Sequence, residues 1–72
     1  MISINQVINN ALNKKTGDRF EIKDLFSDPY WKSQTRQHRQ KLGSKFAKYV
    51  RSSKDFKLVC RKSDNHKVYE RL

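Results

Sequence analysis

Residues 30–54 read YWKSQTRQHRQKLGSKFAKYVRSSK, and the fold turns on how this stretch is read. It holds eight lysines and arginines and no acid, yet Leu42, Phe46, Tyr49 and Val50 recur in it at helical spacing. Thr35 is a good N-cap residue where that pattern begins. The spacing predicts an amphipathic helix over 36–52, with His38 and the stem of Arg39 at the margin of its apolar stripe. At about 100° per residue, the opposite face collects Arg36, Gln37, Gln40, Lys41, Ser44, Lys48 and Arg51. A surface built only for solubility mixes both signs, because like charges on neighbouring turns repel. This face asks for a polyanion. Gly43, at mid-helix, costs about 1 kcal/mol against alanine, which points to close approach of another backbone.

Upstream, Ser3-Ile-Asn-Gln6 has the S-x-x-Q form of a capping box. Ile4, Val7, Ile8, Ala11 and Leu12 follow at helical spacing, so a first helix is expected over about 4–14, with Gly17 ending it or its turn. Arg19-Phe-Glu-Ile22 alternates and suits a very short strand. Lys23-Asp-Leu-Phe26 suits one helical turn that buries Leu25 and Phe26. Asp28 and Pro29 then look like the cap and first position of another short helix, with Trp31 as a core anchor.

Downstream, Phe56-Lys-Leu-Val-Cys-Arg61 and Lys67-Val-Tyr-Glu-Arg-Leu72 read as paired strands around the turn residues Ser63-Asp-Asn65. Cys60 lies in the apolar run and reads as core filler. Asp64 repels phosphate, so the very tip of the hairpin is expected to stay away from a nucleic acid.

Seventy-two residues make one domain, 1–72, near the lower limit for a self-sufficient core. One cysteine excludes an intramolecular disulfide, and with two histidines it gives no metal framework. The uncharged amino terminus is too short and polar to cross a membrane and lacks the regions of a secretory signal, so a cytoplasmic protein is expected. The net charge is +10 and the pI about 10.1, as in nucleic-acid-binding domains. Residues 29–54 carry eight bases against no acid, while 14–28 balance four against four.

The element order is helix, short strand, short helix, long basic helix, two-stranded hairpin. This is a mainly helical α+β chain in the arrangement of a winged helix-turn-helix. Helix 36–52 is then expected to enter the DNA major groove and wing 56–71 to follow the backbone. Arginine pairs bidentately with guanine and glutamine with adenine. Base contacts are accordingly assigned to Arg36, Gln37, Gln40, Lys41 and Ser44, and backbone contacts to Lys45, Lys48, Arg51, Arg61, Lys62 and Lys67.

No chemistry competes with this reading. Ser, Asp and His occur at no triad spacing, and no glycine loop cradles phosphate. Asp24 and Asp28 share a potential face, but so small a domain leaves little room for a catalytic pocket. His38 reads as a packed or capping side chain, and His66 as a surface residue or a phosphate donor. No enzyme, cofactor, metal, membrane or small-molecule substrate is expected.

The pattern Gly17-x-x-Phe20-x-Ile-Lys-Asp-Leu-Phe26, Trp31, Leu42-Gly43-x-x-Phe46-x-x-x-Val50 and Tyr69 resembles a family of small bacterial proteins, also seen in phages and plasmids and catalogued only as a domain of unknown function. The likeness covers about residues 17–71, and the first helix lies outside it. It implies a winged-helix-like domain of mobile-element origin and supplies no catalytic residue.

The leading expectation is a sequence-preferring double-stranded DNA-binding protein, a small transcriptional or replication regulator. A homodimer on a palindromic site suits a domain of this size, although the sequence leaves the oligomeric state open. Two alternatives stand beside it. One is an inhibitor or adaptor that docks its basic face on a protein partner such as a host enzyme. The other is RNA binding, disfavoured because only Tyr30 offers a free ring for stacking.

Overall fold

A computed structural model describes residues 1–63 and 66–72. It is an α+β fold of three helices and a three-stranded antiparallel sheet. Asp64 and Asn65, assigned to the hairpin turn, lie outside the described residues. Helix α1 spans Ile4–Leu12, α2 Asp28–Lys32 and α3 Arg36–Ser52. The strands are β1 Arg19–Phe20, β2 Phe56–Arg61 and β3 Lys67–Arg71, in the spatial order β1-β3-β2. No helix among the described residues is long and apolar enough to cross a membrane.

Local signals placed most of these boundaries. Ser3 Oγ accepts from Gln6 N–H while Gln6 Oε1 accepts from Ser3 N–H, which is the expected capping box. Thr35 caps α3 by accepting from His38 N–H at 3.1 Å. Other boundaries moved by a residue or two. Helix α1 stops at Leu12 instead of 14, because the next N–H groups bond to Asn10 and Ala11 carbonyls and tighten the last turn. Gly17 then adopts φ 91°, and its N–H donates to the Arg71 carbonyl at 2.7 Å. Strand β1 ends at Phe20, and Ile22 instead opens a 3-10 turn, Ile22–Leu25, whose Asp24 carboxylate caps Glu21 N–H. Ser27, not Asp28, is the N-cap of α2, with Asp28 and Pro29 inside its first turn.

The buried core comprises Ile2, Val7, Ala11, Phe20, Leu42, Phe46, Val50, Phe56 and Tyr69. Its centre is aromatic. Phe46 of α3 meets one ring from every strand: Tyr69 at 4.8 Å and Phe56 at 5.5 Å, both edge-to-face, and Phe20 at 6.3 Å. Such pairs add about 0.5–1.5 kcal/mol each beyond the area they bury. Trp31 is a partly buried anchor, stacked on Phe26 at 6.0 Å and packed against the core.

Two expectations fail. Cys60 is exposed, not core filler. The register pairs Leu58 with Tyr69 but Cys60 with Val68, so Val59 is an extra residue in β2. An inserted residue reverses the faces of all that follow it, which moves Cys60 off the core side. Gly43 makes no close approach either, since a Cβ there would meet nothing within 4 Å. It borders an open cleft.

The extended amino terminus is tied down by polar contacts that carry no local sequence signal. Ile2 N–H donates to Oε1 of the buried Gln34 at 3.0 Å, and the Ile2 carbonyl accepts from His38 Nε2. His38 is thus a packed, bonded side chain, as read. Removing one partner of a buried hydrogen bond costs about 1–3 kcal/mol. Gln34→Ala is expected to destabilise by that amount, read as a fall in the thermal midpoint by circular dichroism, with the helical signal below the transition unchanged.

Candidate nucleic-acid interface

Packing of Leu42, Phe46 and Val50 fixes the rotation of α3, and therefore which of its residues face water. Arg36, Gln37, Gln40, Lys41, Ser44, Lys45, Lys48 and Arg51 are all exposed. None of their side chains makes a hydrogen bond or ion pair among the described residues. The sheet and turns differ. Arg19 and Lys57, in register on either side of Glu70, reach its carboxylate at 3.1 and 3.6 Å. Arg71 lies 3.6 Å from Asp55. Glu21 gathers Lys62 at 3.0 Å, His66 at 3.1 Å and Lys23 at 4.0 Å. Every ion-paired carboxylate among the described residues lies off α3, so its field is uncompensated.

Between α3 and the hairpin opens a cleft of ≈ 730 Å³, larger than the sequence reading allowed. Arg36, Arg39, Gln40 and Ser44 line it from α3, and Lys67 and Tyr69 from β3. Trp31 of α2 and Glu21 also line it. Gly43 belongs to the α3 wall, and its missing side chain leaves the space open.

Two groups in this cleft were not among the assigned residues. Arg39, taken as a stem at the stripe's margin, is half-buried, and its guanidinium has no partner among the described residues. The Tyr69 hydroxyl is buried and likewise unpartnered, which costs about 1–3 kcal/mol. Burial pushes the Tyr69 pKa up, and the Arg61 charge opposes this. Arg39 had a sequence signal, a long cation beside an apolar stripe, whereas Tyr69's missing partner had none.

The assigned residues divide between two elements. Those of α3 share one exposed face. On the hairpin, Arg61 and Lys67 are cross-strand neighbours, and the bulge places Arg61 on the Tyr69 side. Lys62 is drawn to Glu21, as is His66, which is an exposed surface residue. Asp24 and Asp28 occupy separate elements.

A family model described as a domain of unknown function (DUF1413) matches residues 5–71, and so takes in nearly all of α1 as well as the 17–71 region of resemblance. No curated protein and no solved structure matches the chain.

The hydrogen bond from Arg19, with the charges of Lys57 and Arg19, holds the Glu70 carboxyl below its ordinary 4.5. A lowered folded-state pKa means that the unfolded chain binds the proton first. The stability this supplies is full above pH 4.5 and is lost as pH falls through the lowered value. Glu70→Gln is expected to flatten the acid limb of a melting-temperature profile below pH 4.5, with the two curves converging at the acid end.

Proposed function

We propose that this chain, which belongs to the DUF1413 family, is a double-stranded DNA-binding protein that reads the major groove with α3 and the backbone with the β2–β3 hairpin. The observation that carries the reading is the exposed face of α3, cationic, unpaired and interleaved with glutamines. A patch used only for electrostatic docking has no need of Gln37 and Gln40 among its cations, whereas base readout uses both residue types. The architecture is compatible. A short helix, a tight connection at Ser33–Thr35 and a long exposed helix precede a hairpin whose strand β3 also pairs with β1, an order that supports the winged helix-turn-helix reading.

In this reading Arg36, Gln37, Gln40, Lys41 and Ser44 face base edges, and Lys45, Lys48 and Arg51 neutralise phosphates. Arg61, Lys62 and Lys67 add backbone contacts from the wing, Lys62 by exchanging Glu21 for phosphate. A small transcriptional or replication regulator of a mobile element is the role that fits, with a homodimer on a two-fold site as the binding form.

The test is fluorescence anisotropy with mixed-sequence duplex, hairpin RNA and single strands at two salt concentrations. If ~5–8 phosphates are neutralised, duplex affinity falls with a log–log salt slope of about −4.5 to −7. Gln40→Ala is expected to lose sequence preference, measured by site selection, while nonspecific affinity changes less than about twofold. Binding no tighter than micromolar to every nucleic acid at low salt rejects the proposal and directs the search to an acidic protein partner.

A further inference from the structure

The cleft between α3 and β3 collects groups that lack partners in the folded chain. Arg39 and Lys67 are both half-buried and both unpaired among the described residues. Partial burial strips water from a cation without supplying a counter-charge, so each is left short of an anion. The bulge at Val59 adds to this. It sets Arg61 directly across from Lys67 on the Tyr69 side, and like charges in that position repel. Tyr69 lines the same wall, with its hydroxyl buried and without a hydrogen-bond partner among the described residues. The one carboxylate lining the cleft among the described residues, Glu21, is already engaged by Lys23, Lys62 and His66.

Duplex geometry names the occupant. A helix in the major groove and a hairpin over the neighbouring minor groove lie on either side of a single sugar–phosphate strand. In the DNA-binding reading, the gap between α3 and the hairpin is where that strand would pass. We infer that this cleft is a phosphate seat, in which Arg39 and Lys67, supported by Arg61 and the Tyr69 hydroxyl, hold a phosphodiester of the strand separating the two grooves. The inference rests on the DNA-binding reading, and it adds Arg39 and Tyr69 to the interface.

Trp31 is the chain's one tryptophan and lines the cleft, so its fluorescence reports occupancy. Wild type, Arg39→Gln and Tyr69→Phe are titrated with mixed-sequence duplex and with a nucleoside 5′-monophosphate. Trp31 emission and the anisotropy of labelled duplex are followed together. Duplex is expected to change Trp31 emission. Arg39→Gln should weaken duplex binding about five- to tenfold and make the log–log salt slope shallower by about 0.9. Tyr69→Phe should raise the thermal midpoint, because it removes an unsatisfied buried hydroxyl, yet weaken duplex binding about two- to fivefold. Its raised midpoint separates a lost contact from a lost fold.

If wild type binds duplex by anisotropy but neither variant changes affinity or slope, the seat is overturned and the DNA-binding proposal stands. Saturable quenching by the monophosphate that Arg39→Gln abolishes, without duplex binding, supports the seat with a free nucleotide as its phosphate source and rejects the duplex. Absence of both responses overturns the two together.

Discussion

The contact between Phe46 and the three strand aromatics governs the rest of the molecule. A single side chain of α3 touches Phe20, Phe56 and Tyr69, one ring from each strand. Rotating α3 by one residue, about 100°, would replace that ring with Lys45 or Ala47 and drive charge or a void into the core. The helix therefore has one permitted rotation, and the cationic face is set by the apolar one. This matters because α3 lacks support of its own. Its exposed turns hold like charges without the acid partners that stabilise isolated helices, and most of its stability must come from packing. The aromatic cluster keeps a helix in place that electrostatics alone would melt.

Charge is organised by the same division. The sheet spends its acids locally: Glu70 sits between Arg19 and Lys57, and Asp55 faces Arg71. Glu21 draws Lys23, Lys62 and the His66 ring toward one point. Exposed pairs of this kind contribute little to stability, and their larger effect is on the field. Because α3 holds no acid, the positive potential is concentrated on it and in the adjoining cleft. A chain with the same net charge spread evenly would attract a polyanion without orienting it.

What the sequence disclosed follows the reach of its signals. The limits of α3, its Thr35 cap and the Ser3–Gln6 box are written in residues three or four apart, and they were readable. The exposed face was readable too, since helical periodicity assigns it once Leu42, Phe46 and Val50 are recognised. Cys60 was misplaced because a bulge is set by pairing across the hairpin, not by the alternation of Phe56-Lys-Leu-Val-Cys. Gly43 suggested a tight contact, but the answer lay in what α3 faces, an open cleft. The ties from Ile2 to Gln34 and His38 span more than thirty positions and leave no periodic trace. The cleft is the extreme case, assembled from α2, α3 and β3, with its unpartnered groups visible only when those elements are brought together.

Strand β2 forms an outer margin of the sheet, and its unpaired backbone edge faces solvent beside Leu58, which is 51 % exposed. Such a margin invites strand-by-strand addition of further copies and growth into fibrils. Here Lys57 and Arg61 bracket the segment, and the extra residue at Val59 breaks the even spacing that a stacking neighbour would need. The irregularity that turns Cys60 outward thus also interrupts the edge along which a further strand would pair.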